Sequence, residues 1–283
     1  MQTNWDKVLS ESQLVSLSEV YLKLQQLIDS DNYSLVEIAE TIGLDPAVTT
    51  RLLRIVNSCF FGLAAKIDTV NRAINYLGAK QVHDLVLTMW ISQTFGNLKV
   101  EDFDMKDFWK RSVYNAISAR EIAQLFNVID SERLFVTGLL ADIGHLMMYQ
   151  AIPELTLEAR QLAQQKQAPL HLVEQEHIGF DYTAVGSALL NNWNLPESIS
   201  DCVKNQLTPD KAESFEMETA ILHLSGLLTQ AYEQELPIEN VLENANSRVL
   251  ELTEFNQEDA LAVDQQSRED LSEVFNLIFP SKH

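Results

Sequence analysis

Apolar residues along this chain recur at spacings of three and four, the period of helices that bury one face. Two clear examples are LVSLSEVYLKLQQLI, which begins at Leu14, and METAILHLSGLLTQAYEQE, which begins at Met217. No segment alternates apolar and polar residues strongly enough to predict a strand. The pattern therefore predicts an all-α domain of roughly a dozen helices.

Turn and capping residues divide this periodic pattern into short helices. Ser34 is a candidate N-cap for SLVEIAETIG, which ends at Gly43. Asp45 is a candidate N-cap for the next helix, and Pro46 follows it at the first helical position, where proline is well tolerated. A later helix, VNRAINYLG, is predicted to end at Gly78.

The character of the chain changes near Thr208. From Glu213 onward there are fifteen Asp and Glu residues against three Lys and Arg residues. We expect a helical domain over 14–207 and an acidic helical C-terminal segment over 208–283 that packs on it. The acidity predicts a solvated helical face, or a surface that docks a basic partner.

The composition of the chain argues against several classes of function. The net charge of −21 disfavours binding to phosphate backbones, so we expect no nucleic-acid partner. The opening MQTNWDKVLS lacks the pattern of a signal peptide, and no apolar run is long enough to span a membrane. We therefore expect a cytoplasmic protein without a membrane partner. Cys59 and Cys202 lack metal-ligand spacing and are expected to be buried thiols in a reducing compartment.

One segment has the outline of a DNA-binding helix-turn-helix. In IAETIGLDPAVTTRLLRI a turn at Gly43 separates two helices, and the second carries Arg51 and Arg54. Two arginines are few for a recognition helix, and the apolar residues among them, such as Leu52 and Ile55, indicate a largely buried helix instead.

Residue types that bind catalytic metals occur at three places: His83 with Asp84, Asp142 with His145, and His171 with His177. A catalytic metal requires about three converging ligands, and neither HxxxH nor HExxH occurs. We expect His83, His171 and His177 to be surface or capping residues. Nucleophile elbows and phosphate-binding loops are also absent from the sequence, so it contains no self-contained catalytic motif.

The segment LFVTGLLADIGHLMMYQ, from Leu134 to Gln150, is apolar enough to be buried and yet carries Asp142 at its centre. A buried carboxylate needs hydrogen-bond donors or a cation. One interpretation is that Asp142 caps a helix or turn at Gly144. The other is that Asp142 lines a polar pocket with a ligand-binding or regulatory use.

Four segments in order make the chain similar to a known family. They are DPAVTTRLLRIVNSCFFGL, KIDTVNRAINYLGAKQVHDLVL, LFVTGLLADIGHL and GFDYTAVGSALLNNWNLPESI. They resemble the HD-related output domains, or HDOD family, of bacterial signalling proteins, over about Leu14 to Leu207. The resemblance implies a compact helical domain of HD-like type. It also implies a noncatalytic regulatory function that acts through a protein partner or a small effector, in an oligomeric state that the sequence leaves open.

The HD-superfamily hydrolases related to this family bind metals through a histidine, a His-Asp pair and later histidines and aspartate. By the resemblance, the first histidine matches Arg111 and the His-Asp pair matches Ala141–Asp142. The later positions match Tyr182, Asn205 with Gln206, and Gly226. Of the metal-binding residues, Asp142 alone is retained. The resemblance therefore implies a degenerate pocket without a metal or other cofactor, formed by Arg111, Asp142, His145, Tyr182 and Asn205.

Two hypotheses follow for this pocket. Because Arg111 matches a lost ligand, we expect its guanidinium to form a salt bridge with Asp142 in the position of the metal. The alternative is a metal-dependent phosphohydrolase with a nonstandard ligand set such as Asp142, His145 and His177.

Overall fold

The protein is described by a computed structural model, which covers residues 3–14, 19–30, 33–58, 61, 66–95 and 103–279. Within these residues the chain forms sixteen α-helices and no strand. The first eight are α1 (Asn4–Leu14), α2 (Glu19–Asp29), α3 (Leu35–Gly43), α4 (Pro46–Val56), α5 (Val70–Leu77), α6 (Ala79–Phe95), α7 (Met105–Leu125) and α8 (Ser131–Leu140). The others are α9 (Ile143–Ala151), α10 (Pro153–Lys166), α11 (Leu170–His177), α12 (Tyr182–Asn192), α13 (Glu197–Asn205), α14 (Glu216–Glu233), α15 (Ser247–Thr253) and α16 (Gln257–Ile278).

The predicted caps determine where several helices begin and end. Ser34 forms a capping box with Glu37 at the start of α3. The carboxylate of Asp45 accepts hydrogen bonds from two backbone amides at the start of α4, with Pro46 at the first position. Gly78, at φ 91°, ends α5 in a conformation that favours glycine. These three assignments are confirmed.

The predicted number of helices was too low. The helical period of SERLFVTGLLADIG predicts one continuous helix, but the segment is divided at Ala141–Asp142 into α8 and α9. The pattern of APLHLVEQEHIGFD is loop-like, and that prediction is wrong, because the segment contains α11, which begins after Pro169. Proline is compatible with a helix start because its fixed φ angle suits that position. The chain before Leu14 also forms a helix, α1.

Helix α7 lies at the centre of the protein. It packs against α8 on one side and against α14 and α16 on others, and it buries side chains around its circumference from Phe108 to Ala123. Polar contacts complete this packing: the Tyr114 hydroxyl donates a 2.5 Å hydrogen bond to Asp264, and the hydroxyls of Ser118 and Ser267 lie 2.9 Å apart. The segment after Thr208 thus packs on the main body, as predicted.

Helix α4 buries Val48, Leu52, Ile55 and Val56 and contacts α16. The expectation of a largely buried helix was right for this face alone, because Arg54 and the residues near it on the opposite face are exposed. Cys202 is a buried free thiol, as expected, whereas Cys59 lies outside the described residues. Among the helices of the described residues, none has the length and apolar character needed to cross a membrane.

The prediction for His83 was wrong. Its side chain is buried in α6, and its Nδ1 atom lies 2.9 Å from Oδ1 of Asp84, which is also buried. The sequence misled because α6 packs on nearly all of its faces, so polar positions along it do not mark a solvated side. His177 does lie at the surface, where it contacts Glu158 at 3.0 Å.

Candidate functional site

Asp142 occupies the junction between α8 and α9, at the N-cap position of α9. Its side chain accepts no capping hydrogen bond from the backbone. The apolar residues on both sides of it, including Leu140 and Ile143, are buried, but the Asp142 side chain remains 21% exposed. Capping therefore does not account for this carboxylate, and its charge is compensated in another way.

Arg111 compensates that charge. It projects from α7 and places Nη2 3.4 Å from Oδ2 of Asp142, which confirms the predicted ion pair. Its Nη1 atom donates a 2.7 Å hydrogen bond to Oε1 of Glu233 at the end of α14. Burial alone would lower the pKa of Arg111, but the charges of Asp142 and Glu233 more than offset it, so the pKa is raised. The guanidinium thus connects the α8–α9 junction to the C-terminal segment.

Gly144 allows α9 to approach α12 closely. A Cβ atom at Gly144 would lie 1.9 Å from the carbonyl oxygen of Tyr182 and 2.7 Å from the amide nitrogen of Gly186. The close approach brings the rings of His145 and Tyr182 into a stack with centroids 4.0 Å apart. Glycine at position 144 is therefore a requirement of the site's geometry, because backbone atoms cannot move aside as a flexible side chain can.

A second carboxyl group lies behind this stack. Glu174 of α11 is completely buried, and its Oε2 atom accepts a 3.0 Å hydrogen bond from the backbone N–H of Tyr182. Its Oε1 atom lies 3.5 Å from Nδ1 of His145, without hydrogen-bond geometry. Burial, followed by the charges of Asp142 and Glu174, raises the pKa of Tyr182 well above its usual value. Its phenol is therefore protonated at neutral pH.

Four of the five residues expected in the pocket thus belong to one connected region, and the fifth has other partners. The side-chain amide of Asn205 donates to the backbone and side-chain oxygens of Asp201 in its own helix. Its neighbour Gln206 instead reaches the α8–α9 junction, where Nε2 donates a 2.8 Å hydrogen bond to the carbonyl of Ala141. Within the described residues, no three His, Cys, Asp or Glu side chains are grouped so that they could share a metal ion.

Sequence reasoning did not find Glu174 and Glu233. Glu174 lies in a segment with no strong apolar period, and Glu233 is one of many acidic residues after Glu213. Neither residue belongs to a motif, so no signal in a single sequence distinguishes them from solvated carboxylates. Their importance follows from contacts between helices that are distant along the chain.

Replacing Arg111 by alanine is expected to lower the free energy of unfolding by about 2 to 3 kcal/mol, because it leaves the partly buried Asp142 carboxylate without a cation. Arg248, whose ion pair with Glu216 is about half exposed, provides the matched control, and Arg248→Ala should cost less than about 1 kcal/mol. Urea unfolding measures both. Equal losses in the two variants would show that the Arg111 pair is no more than a surface contact.

We expect His223 to make the stability of the protein depend on pH. Its Nδ1–H donates to the carbonyl of Gln206 at 2.8 Å, and Nε2 accepts from the backbone N–H of Asn246 at 3.2 Å. This arrangement requires the neutral imidazole, because a protonated ring has no acceptor nitrogen. Burial lowers the pKa of His223 below its usual value of 6.5, against the opposing effect of the Gln206 hydrogen bond. The unfolded chain therefore takes up the proton at higher pH than the folded protein does.

The consequence is a loss of stability as the pH falls through about 6.5. Above that pH the stabilisation from neutral His223 is fully present. We expect the free energy of unfolding to fall between pH 7.5 and 5.5, and to fall less steeply in His223→Gln. Burial also lowers the pKa of the half-buried His171. His171 should therefore account for part of the pH dependence that remains in the His223→Gln variant. His177→Gln at the surface is the control. An identical slope in His223→Gln and the native chain would contradict this assignment.

The fold and this cluster define the class of protein: an all-helical domain whose central charged group bridges its main body and its C-terminal segment. The chain belongs to the HDOD family, whose domain model matches residues 14–209.

Solved structures with similar folds extend over nearly the whole chain. An HDOD domain protein of unknown function from Geobacter sulfurreducens has a TM-score of 0.74 at 19% identity, covering 94% of this chain and 93% of that one. A candidate phosphohydrolase from Shewanella amazonensis SB2B also has a TM-score of 0.74 at 19% identity, over 96% and 97% of the two chains. At this identity the likeness shows the fold alone.

Two further relatives are longer than this chain. A candidate signal transduction protein from Marinobacter aquaeolei VT8 has a TM-score of 0.66 at 19% identity, and the match covers 93% of this chain and 58% of that one. An uncharacterized protein from Treponema pallidum is 22% identical over 225 residues, which is 78% of this chain. The match spans 43% of the length of the Treponema protein.

Proposed function

We propose that this chain is a noncatalytic signalling domain that regulates its pathway by binding a protein partner or a small effector. One observation carries the proposal: Arg111 lies between Asp142 and Glu233, at the position that the family resemblance assigns to the first metal-binding histidine. A guanidinium cannot ligate a metal, and its positive charge opposes a divalent cation beside Asp142.

The donor set at the matched positions does not fit a metal centre. Ala141 and Gly226 offer no side-chain donor, and the Asn205 amide donates its hydrogen bonds to Asp201. One carboxylate is too few ligands for a catalytic divalent ion, which takes about three from the protein. Signalling through a bound partner requires no such ion. The residues at the matched positions are therefore compatible with the proposed signalling function.

The second hypothesis, a phosphohydrolase that uses Asp142, His145 and His177, receives less support. His177 contacts Glu158 at the surface, whereas His145 is buried against Tyr182 and Glu174. These surroundings differ too much for the two histidines to serve as a converging ligand pair with Asp142.

Metal content and hydrolysis together test the proposal. Protein purified without chelator should contain far less than one Mn, Fe or Zn per chain by elemental analysis. It should also fail to hydrolyse p-nitrophenyl phosphate or bis-p-nitrophenyl phosphate with added manganese. One tightly bound ion per chain, together with hydrolysis that Asp142→Ala abolishes and the exposed control Asp68→Ala retains, would overturn the proposal.

Affinity capture from the native host addresses the regulatory half of the proposal. The full chain should retain a specific protein or small molecule that mass spectrometry identifies, and added purified partner should compete for it. Capture of no reproducible partner and no small molecule, at native expression, would count against a binding function.

A further inference from the structure

A cavity of about 380 Å³ opens between α1, α12 and α13. Its lining includes Trp5 from α1, Ala184, Ser187 and Ala188 from α12, and Ser200 from α13. The small residues of α12 are spaced at three and four, so they share one helix face and leave room above it. The volume lies within the range of about 300 to 1,000 Å³ that is usual for small-molecule sites. The Arg111 cluster contributes no residue to this lining.

Ser187 gives the cavity wall a polar group. The residue as a whole is only 6% exposed, and it lines the cavity from α12. A serine hydroxyl can donate one hydrogen bond and accept others. A molecule bound in the cavity can therefore form a hydrogen bond with Ser187.

Trp5 supplies an aromatic wall. It is partly buried, and its ring packs edge-to-face on Phe180 with centroids 5.0 Å apart, so the wall is held in place. Indole rings bind flat apolar groups by stacking and bind organic cations through their π-system. The small α12 face and the Trp5 ring together favour a ligand with a flat ring.

The charged side chains at the rim of the cavity determine whether it favours a positively or a negatively charged ligand. Glu197, Asp201 and Lys204 line the cavity from successive turns of α13, which gives two carboxylates against one ammonium group. Neither carboxylate forms an ion pair with a residue in the described part of the chain, although Asp201 accepts a hydrogen bond from Asn205. The net negative rim lies in a protein of charge −21, so the surrounding potential favours cations.

We propose that this cavity binds a small organic cation that carries a flat ring, with the ring beside Trp5, the charge at Glu197 and Asp201, and a hydrogen bond to Ser187. The inference rests on the proposed function, because it gives the regulatory domain an effector site and the class of effector.

Benzamidine, benzamide and benzoate test the proposal, because they share one ring and nearly one shape and carry charges of plus one, zero and minus one. Binding to the full chain is measured by ligand-observed nuclear magnetic resonance titration. We expect benzamidine to bind one site per chain about fivefold more tightly than benzamide, and benzoate to bind more weakly than both. No binding of benzamidine at 10 mM, roughly the weakest affinity a fragment of this size shows, would overturn the proposal.

Variants of the residues that line the cavity test whether benzamidine binds there. Ala188→Leu fills part of the cavity and should abolish benzamidine binding. The pair Glu197→Gln with Asp201→Asn should remove the preference for benzamidine over benzamide, whereas Glu154→Gln with Glu239→Gln, an equal change of charge on exposed residues elsewhere, should preserve it. Benzamidine binding that survives Ala188→Leu, or a charge preference that survives the rim variant, would reject this cavity.

The result is independent of the metal and hydrolysis tests. If the protein contains no metal, hydrolyses neither phosphate ester and does not bind benzamidine, the effector site is rejected and the signalling proposal stands. If the protein contains a metal and hydrolyses the esters, the signalling proposal is rejected, whatever the cavity binds.

Discussion

A chain that ends at Leu207, at the limit of the expected domain, should fail to fold. The family model ends at residue 209, so a truncation drawn from the family match would remove α14, α15 and α16. Those helices cover α7, which otherwise has two of its faces open to water. They also carry nine large side chains that are at most 5% exposed: Ile221, Leu222, Leu224, Leu228, Val249, Val263, Leu271, Val274 and Ile278.

The expected loss exceeds the stability of a typical domain. Each of those side chains contributes roughly 1.5 to 3 kcal/mol when buried, against a total of about 5 to 15 kcal/mol for a folded protein. The truncation also removes the partners of Tyr114, Ser118 and Arg111 in α16 and α14. Loss of these helices therefore exposes both apolar and polar groups of α7.

Circular dichroism melting and soluble yield measure this effect. The truncated chain should be insoluble or lack a cooperative transition, whereas a chain that ends at Phe279, which retains α16, should melt like the native protein. A soluble Leu207 truncation with an unchanged melting temperature would show that 14–207 folds alone and that the C-terminal helices are accessory.

Gly144→Ala should produce the largest effect of any single substitution considered, a loss of about 4 kcal/mol or more in the free energy of unfolding. The added Cβ would lie 1.9 Å from the Tyr182 carbonyl oxygen, far inside contact distance, and 2.7 Å from the amide nitrogen of Gly186. To relieve the clash, α9 must move away from α12, which separates the stacked rings of His145 and Tyr182.

Gly226→Ala is the matched control. Gly226 lies inside α14, and a Cβ there would meet no atom within 4 Å. The same substitution should therefore stabilise the protein by roughly 0.5 to 1 kcal/mol through helix propensity. Urea unfolding of the two variants compares them directly. A Gly144→Ala protein as stable as Gly226→Ala would mean that α9 and α12 do not approach as closely as described.

Much of the local structure was determined by the sequence itself. Ser34, Asp45 and Gly78 have strong conformational preferences that act within one turn of helix, so they predict helix ends without any tertiary contact. The period of the apolar residues likewise predicts helices, because one face of each must be buried. The Arg111–Asp142 ion pair could also be predicted from the sequence. A carboxylate in an apolar segment needs a cation, and the family resemblance places Arg111 beside it.

The tertiary structure decided the features that depend on contacts between distant helices. Glu233 and Glu174 look like ordinary acidic residues until α14 and α11 bring them to Arg111 and His145. His83 was misplaced because a helix that packs on all sides has no solvated face for a polar residue to mark. The cavity beside Trp5 exists only where α1 meets α12 and α13. Such features arise from packing geometry, and no pattern within one segment encodes the position of its neighbours.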